Sequence, residues 1–204
     1  MATLLGSLLL GACSAFGIRG GTEEPRYGTV ERLGPVEVRR YAPRLAAETT
    51  VPGDAYSARG EGFRRLAGYI FGGNAGRRRI DMTAPVAQSG APPGERIAMN
   101  APVAEAPGKK GWAIRFFLPA ALTDPPAPSD ARVRIVTVPE ETLAVLRFSG
   151  TAGADAVAER TRALTAALSG TAWRQAGEPV AWFYDPPWTL PPLRRNEVAV
   201  PVAR

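Results

Sequence analysis

Residues 36–72, with the sequence VEVRRYAPRLAAETTVPGDAYSARGEGFRRLAGYIFG, predict two strands followed by one helix. Apolar and polar residues alternate at 36–38, and residues 45–51 include the β-branched types that strands favour. Asp54 is a suitable N-cap, apolar side chains then recur at helical spacing, and the glycine pair that begins at Gly72 ends the helix. This segment is therefore one strand-strand-helix unit.

A second strand-strand-helix unit follows at a similar spacing. Strands are predicted at 133–138 and 143–148, joined as a hairpin, and a helix from about residue 154 to 168 ends before Gly170. The glycines that end the two helices, Gly72 and Gly170, are 98 residues apart (170 minus 72). Because the order and spacing of the elements agree, we predict an internal duplication with pseudo-two-fold symmetry.

The remaining strands complete a mainly antiparallel sheet with hairpin connections. Residues 112–118 alternate between apolar and polar faces, and 181–184 and 197–202 are further strand candidates. A motif Ile-x-Met-x-Ala-Pro-Val occurs at 80–86 and again at 97–103, and its proline favours sheet edges or extended crossing segments. Each predicted helix has one apolar stripe, so both helices pack on the sheet, which defines an α+β fold.

Composition excludes several kinds of chemistry. The chain has 204 residues, no histidine and one cysteine, so it holds no Ser-His-Asp triad, no Cys-His pair, no His-bearing zinc site and no axial histidine for a haem. With 45% apolar and 22% charged residues the chain is globular, and its length corresponds to one domain with a tail.

The net charge of +6 favours an anionic partner. Nearly all the cations are arginines, since Lys109 and Lys110 are the only lysines. The densest cluster, residues 77–79, lacks the interleaved aromatics of a single-strand nucleic-acid surface and is interpreted as solvated loop charge. We therefore predict no nucleic-acid partner.

The N-terminus is predicted to direct export. Residues 4–10 are an apolar run too short to span a bilayer, and Leu-Gly-Ala-Cys before residue 14 resembles a bacterial lipobox. The predicted organisation is a signal peptide at 1–12, a tether at 13–25 lipidated on Cys13, and a domain at 26–204 on the periplasmic side of the envelope. An ordinary cleaved signal or a buried strand remains an alternative, because no Lys or Arg precedes the apolar run. Without a signal, the protein would be cytoplasmic.

Several short motifs occur together in an order that resembles one known family, the SOUL haem-binding family, here a bacterial lipoprotein member. The resemblance extends from about residue 27 to 202. Besides the doubled Ile-x-Met-x-Ala-Pro-Val, the motifs are VEVRRY at 36–41, GFRRL at 62–66, GGN at 72–74, FLP at 117–119, PPAP at 125–128, FSG at 148–150, YDPP at 184–187 and RRNEV at 194–198.

The resemblance implies a distorted antiparallel β-barrel-like sheet with two helices and internal pseudo-symmetry. It also implies reversible, non-catalytic binding of haem or another tetrapyrrole, for sequestration or transport, in a shallow apolar groove. That groove would lie beside the first helix and the loop after the YDPP motif. No axial histidine is available, so haem or a porphyrin would be held by packing and by its propionates.

Haem is a flat apolar disc with two anionic propionates, so its site needs an apolar platform and cations at one rim. On the first helix, Arg59 and Arg64 are candidates for the propionates. The resemblance places Tyr69 and Thr189 where lysines stand in haem-binding members. The remaining candidates, which would supply apolar contacts, are Phe63, Ala67, Phe71, Trp188 and Leu190.

Other interpretations of these residues stay open. An iron ligand would come from Tyr56, Tyr69, Met82 or Met99, although both methionines are interpreted first as core residues. Trp188 is alternatively an edge residue, and the group Arg194, Arg195 and Glu197 is interpreted as a structural salt-bridge and turn element.

Two other functions compete with tetrapyrrole binding. The same fold would serve as a module for another small anionic ligand, and a small-molecule hydrolase would use Glu61 as a general acid. The acids Glu140 and Glu141 lie in a predicted turn and are solvated, so the sequence favours a protein that is not an enzyme.

Overall fold

The computed structural model describes residues 22–91 and 111–204. The predicted signal peptide, Cys13, most of the tether, Met99 and the second copy of the Ile-x-Met motif lie outside the described residues. Within them, no helix is both long and apolar enough to cross a membrane.

The described residues form ten strands and two helices, joined by short loops and two single 3₁₀ turns. In chain order the elements are β1 Tyr27–Leu33, β2 Val36–Tyr41, β3 Arg44–Val51, α1 Ala55–Ile70, β4 Val86–Gly90, β5 Trp112–Phe117, β6 Val133–Val138, β7 Glu141–Phe148, α2 Ala154–Ala167, β8 Arg174–Gln175, β9 Val180–Phe183 and β10 Asn196–Ala203. Both predicted helices and the predicted strands are confirmed, and β1, β4 and β8 are additional.

The strands form one antiparallel sheet in the order β1-β2-β7-β10-β9-β4-β5-β3-β6, with the short β8 paired to β10. The two end strands, β1 and β6, do not pair with each other in the described part of the chain. The sheet is therefore open, and the expectation of a barrel-like form is wrong. β4 lies in the middle of the sheet between β9 and β5, so the first Ile-x-Met motif leads into a central strand rather than an edge.

The predicted duplication is visible in the strand order. The unit β2-β3-α1-β4-β5 corresponds to β6-β7-α2-β9-β10. When β1 is left out and each strand is replaced by its equivalent, the order is the same from either end of the sheet, and the boundary between the halves runs between β4 and β9. The equivalent strands β3 and β7 have the same length of 8 residues and the same alternation of buried and exposed positions.

The first strand of each half pairs with a strand of the other half. β2 pairs with β7, and β6 pairs with β3, so neither β2–β3 nor β6–β7 is a hairpin. This corrects the predicted strand pairs. A physical reason is present in the connections: Pro43 and Pro139 have φ fixed near −65°, whereas tight hairpin turns require positive φ. The exchange ties the two halves together.

Helix α1 begins and ends where its sequence predicts. The Asp54 side chain accepts hydrogen bonds from the Tyr56 and Ser57 amides, each 3.0 Å long, and Gly72 has φ of 113° just beyond the C-cap. Gly62 lets the helix approach the sheet, because a Cβ atom there would lie 2.4 Å from the Ile114 side chain on β5. The position of α1 over β5 is therefore fixed by a residue without a side chain.

Both helices cover the same face of the sheet. The α1 core and the α2 core are centred on Leu66 and Leu164, which are fully buried. The opposite face has a core of its own in which Trp182 contacts the rings of Tyr41 and Phe117 edge-on.

A buried ion network also lies on the face opposite the helices. The Glu197 carboxylate is fully buried and accepts hydrogen bonds from Arg39 (3.0 Å), Arg195 (2.9 Å) and the Tyr184 hydroxyl (2.8 Å). Arg195 also pairs with Glu24 at 2.9 Å. Through Arg39 the network links β10 to β2, and through Arg195 it links β10 to Glu24 in the N-terminal segment. Both arginine side chains are largely buried.

Candidate functional site

A row of cross-strand neighbours crosses the helix-covered face where the two halves of the fold meet. Phe116 on β5 pairs with Val86 on β4, Val86 pairs with Phe183 on β9, and Phe183 pairs with Asn196 on β10. Directly opposed residues of an antiparallel sheet point to the same face. Phe116 belongs to the α1 core, whereas Phe183 lies beyond it and is only partly buried. The row therefore forms a mostly apolar floor between the two halves, and of its residues only Phe183 is not fully buried.

Helix α1 supplies one wall above this floor. Arg59, Phe63 and Ala67 are spaced four residues apart and lie beside the buried stripe of the helix. The Phe63 ring is 38% exposed and packs edge-on against Phe116, with ring centroids 5.3 Å apart. The Arg59 guanidinium lies 4.0 Å from the centroid of the Phe183 ring. One flank of α1 thus presents an aromatic ring and a cation over the floor.

A proline-rich segment, residues 185–195, supplies the other wall and is here named the proline loop. The Arg194 side chain holds it in shape by donating to the carbonyl oxygens of Thr189 (2.7 Å) and Pro187 (2.5 Å). On the same loop, Trp188 and Leu190 are 66% and 50% exposed. Internal hydrogen bonds thus fix a loop that presents large apolar side chains to solvent, which is typical of a binding surface.

Arg59 joins α1 to the neighbourhood of the proline loop. Its Nη1 donates to the carbonyl oxygen of Ala152 at 3.2 Å, just before α2. The Gly150 amide in turn donates to the carbonyl oxygen of Pro191 in the proline loop at 2.9 Å. We name the region bounded by the floor, the α1 flank and the proline loop the α1 groove.

The α1 groove has an excess of positive charge. Burial, and then the nearby charge of Arg194, lower the pKa of Arg59, although an arginine remains protonated at neutral pH. Both guanidiniums donate to neutral carbonyl oxygens, and within residues 22–91 and 111–204 neither lies within 4.0 Å of a carboxylate. Because the charges of Arg59 and Arg194 act on each other, this region is complementary to an anionic group.

The structure brings some predicted site residues together and separates others. Arg59, Phe63 and Ala67 lie on one flank of α1, and Trp188 and Leu190 lie on the proline loop. Phe71 is 57% exposed at the far end of α1, where Arg79 lies over its ring at 5.8 Å. The Arg64 side chain is 73% exposed and pairs with Glu61 at 2.7 Å, so its charge is already compensated.

Tyr69 and Thr189 have 2% and 1% exposure, respectively, and are not surface residues of the groove. The Tyr69 hydroxyl donates to the carbonyl oxygen of Pro126 at 3.0 Å inside the α1 core. Tyr69 is three residues after the buried Leu66, so helical spacing places it on the core side. We therefore leave both residues out of the site proposed below.

Sequence reasoning missed the contact between Arg59 and the Phe183 ring. The predicted salt-bridge and turn element is confirmed, because Arg195 pairs with Glu197 and Arg194 holds the turn by donating to the carbonyl oxygens of Thr189 and Pro187. Met82, interpreted as a core residue, is 38% exposed.

The candidate general acid Glu61 is held on the other flank of α1. It accepts hydrogen bonds from Arg64 (2.7 Å) and Arg65 (3.0 Å), and these bonds lower its pKa. A general acid at neutral pH needs the opposite shift. In the described ranges no cluster of three or more acidic or cysteine side chains could hold a metal ion.

Taken together, these observations define a small, internally duplicated α+β domain with Arg59 and Phe63 at the boundary between its two halves. The profile of the SOUL heme-binding protein family matches residues 22–201. The chain therefore belongs to the SOUL heme-binding protein family. Among curated proteins, none shows significant sequence similarity to it.

Solved structures with the same fold are distant in sequence. An EcmrR–DNA complex is similar with a TM-score of 0.56 and 11% identity over 83% of this chain, and the match spans 57% of the EcmrR chain. Two proteins of Listeria innocua, one described as an uncharacterized conserved protein and one as a hydrolase, give TM-scores of 0.55 and 0.52. Their identities are 10% and 12%, over 90% and 91% of this chain and 94% of each of theirs. At these identities the likeness shows the fold alone.

Proposed function

We propose that this protein binds haem or a related tetrapyrrole reversibly and without catalysis, for sequestration or transport. The macrocycle would lie in the α1 groove with its propionates at Arg59 and Arg194. The observation that carries this proposal is the Arg59 guanidinium over the Phe183 ring, which has no carboxylate within 4.0 Å among the described residues. Family membership supports the choice of a tetrapyrrole among apolar anions.

The residues present fit the periphery of such a ligand. Phe63 and Phe183 offer aromatic surface to the macrocycle, and Trp188 and Leu190 lie on the loop that would cover it. Arginine presents a planar fork of N–H donors that matches a carboxylate. Packing and propionate contacts account for binding here, so an iron-free porphyrin with the same propionates is expected to bind about as well as haem.

The groove also suits other apolar anions, and such ligands share with a tetrapyrrole a carboxylate on an apolar body. A hydrolase would need a general acid or base in the groove, and Glu61 is on the other flank of α1. Native mass spectrometry of the protein purified from its source would identify the ligand that travels with it. A non-tetrapyrrole anion bound there would replace the proposed ligand.

The test of tetrapyrrole binding is a spectrophotometric titration. Haem, and separately protoporphyrin IX, is added to the purified protein while the Soret band is followed. We expect saturable binding of both at micromolar concentration. No saturable change with either compound would contradict the proposal.

The envelope location remains a prediction. Lipidation at Cys13 would place the domain at the membrane surface, where a carrier could receive or release a tetrapyrrole. Labelling with palmitate that is lost in Cys13→Ala would support the anchor. A cytoplasmic, unlabelled product would contradict it.

A further inference from the structure

The loop that follows α1 carries three consecutive arginines. Phe71 is the C-cap of α1, and Arg77, Arg78 and Arg79 come shortly after it. All four residues are exposed. We name residues 71–79 the arginine loop. It shares no residue with the α1 groove, and Phe71 is about 18 Å from Arg59 along the axis of α1.

Hydrogen bonds fix the backbone of the arginine loop. Asn74 is 3% exposed, and its side-chain nitrogen donates to the carbonyl oxygens of Tyr69 and Arg78, each at 2.8 Å. Its side-chain oxygen accepts from the Arg78 amide at 2.9 Å. Arg77 has φ of 50°, a left-handed conformation that residues other than glycine rarely adopt. The three arginines are therefore presented to solvent from a fixed backbone.

The positive charge of the arginine loop is not paired with nearby acids. Among residues 22–91 and 111–204, no carboxylate lies within 4.0 Å of any of its three guanidiniums. Asp130 on a neighbouring segment pairs with Arg132 at 2.8 Å, and Asp81, two residues after Arg79, is exposed. The loop therefore has an excess of cations and is complementary to an anionic surface.

Phe71 adds an apolar group to this cationic surface. Its ring is 57% exposed, and the Arg79 guanidinium lies 5.8 Å from the ring centroid. An exposed aromatic ring among arginines is typical of a surface that contacts an anionic bilayer, because the ring can enter the headgroup region while the cations meet lipid phosphates. Single-stranded nucleic acid needs several rings on which successive bases stack, and residues 71–79 contain one aromatic residue.

The N-terminal segment enters the domain close to this loop. Glu23 forms a parallel bridge with Thr83, and its carbonyl oxygen accepts from the Ala84 amide at 2.9 Å. Thr83 is four residues after Arg79, so their Cα atoms are at most about 14 Å apart. A chain lipidated on Cys13 would keep the arginine loop within reach of the bilayer surface.

We propose that the arginine loop binds the surface of an anionic phospholipid bilayer. Its three guanidiniums contact lipid phosphates, and Phe71 enters the headgroup region. This contact is separate from lipidation at Cys13 and from the proposed tetrapyrrole site, so each can fail without the others.

The experiment is a vesicle flotation assay with the full chain carrying Cys13→Ala, so that no covalent lipid contributes. Vesicles of phosphatidylcholine are compared with vesicles in which about one-third of the lipid is phosphatidylglycerol, in about 0.1 M salt. We expect at least about tenfold stronger binding to the anionic vesicles. Most of this binding should be lost in about 1 M salt, where the Debye length falls to about 3 Å.

Two triple variants with the same net charge locate the contact. Each basic residue near an anionic membrane strengthens binding by about fivefold, so Arg77→Gln/Arg78→Gln/Arg79→Gln should weaken it at least about tenfold. The control, Arg147→Gln/Arg160→Gln/Arg162→Gln, removes three exposed arginines from β7 and α2 and should weaken binding by less than about threefold. Because every replaced residue is exposed, both variants should keep the urea midpoint of the wild type.

A probe at position 71 distinguishes a bilayer from a soluble polyanion. Phe71→Cys in the Cys13→Ala chain gives a single cysteine for the fluorophore NBD, and Ala163→Cys on the exposed side of α2 is the control. On anionic vesicles the NBD emission should shift to the blue at position 71 and stay unchanged at position 163. With heparin or single-stranded DNA it should stay unchanged at both positions.

Three results would overturn the proposal. The first is equal binding to neutral and anionic vesicles. The second is an equal loss of binding in the two triple variants, which would show that general charge attracts the protein. The third is unshifted emission at position 71 on vesicles that the protein binds, since another surface would then contact the bilayer. Haem titration of the arginine-loop variant, which should match the wild type, reports separately on the α1 groove.

Discussion

The guanidinium of Arg59 lies 4.0 Å from the centroid of the Phe183 ring, which joins helix α1 of the first half of the fold to strand β9 of the second. The contact spans the boundary between the halves of the duplication. The Arg59 side chain is partly buried, and among residues 22–91 and 111–204 no carboxylate lies within 4.0 Å of it. An anionic group of a ligand would supply the counter-charge.

Replacing Arg59 by methionine should weaken haem binding. A charge-assisted hydrogen bond to a carboxylate contributes about 1.5–3 kcal/mol, so we expect a loss of about tenfold or more in affinity. The matched control is Arg64→Met on the same helix, whose cation already pairs with Glu61. Soret titrations of the two variants beside the wild type make the comparison. Equal losses in both variants would show that general charge, rather than Arg59, attracts the ligand.

Trp188 is expected to cover the bound tetrapyrrole. Its side chain is 66% exposed without ligand, and burying part of that surface contributes at roughly 25 cal/mol per Å². Trp188→Ala should therefore weaken haem binding by about 1–2 kcal/mol while the urea midpoint of unfolding stays within error. An unchanged haem affinity in Trp188→Ala would remove the proline loop from the site.

Much of the architecture is predictable from local signals. The order of strands and helices, Asp54 as N-cap and the glycine that follows each helix are local, so the duplication is predicted correctly. Strand pairing depends on segments that are far apart in the sequence. The pairing of β2 with β7 and of β6 with β3 was therefore not predicted. The prolines Pro43 and Pro139 carried a usable signal against hairpins.

The candidate site was predictable only in part. Arg59 and Phe63 follow from helical spacing, but so does the burial of Tyr69, three residues after Leu66. Arg194 could not be separated from its neighbour Arg195 by sequence alone, because only the fold shows that Glu197 pairs with one of them. Thr189 lies in an irregular loop, where no sequence periodicity indicates which side chains are buried.

Glu197 is expected to be essential to stability. Its carboxylate is fully buried and compensates Arg39 and Arg195, whose side chains are 5% and 14% exposed. Glu197→Gln would leave Arg39 and Arg195 paired only with the more exposed Glu37 and Glu24, at an expected cost of about 3–5 kcal/mol in the free energy of unfolding. Urea denaturation measures this cost, with the exposed Glu140→Gln as control at about 0.5 kcal/mol or less. A cost below about 1 kcal/mol for Glu197→Gln would contradict a compensating role.

Stability should fall at high pH because of Tyr41. Burial raises the pKa of Tyr41 to about 12, above its ordinary value of about 10. The folded state favours the neutral phenol, so this contribution is complete below pH 10 and is lost as the pH rises through 12. Tyrosinate absorbance should show a group that ionises near pH 12 in the wild type and is missing in Tyr41→Phe. If the signal missing in Tyr41→Phe lay near pH 10 instead, it would contradict the burial of Tyr41.

Recognition of the propionates by Arg59 and Arg194 is tested most directly with haem and haem dimethyl ester. Their affinities are compared for the wild type and for the double variant Arg59→Met/Arg194→Met. We expect the wild type to prefer the free diacid by at least about tenfold and the double variant to lose this preference. Equal affinity of the wild type for diacid and ester, or a preference that survives in the double variant, would contradict recognition of the propionates by these two arginines.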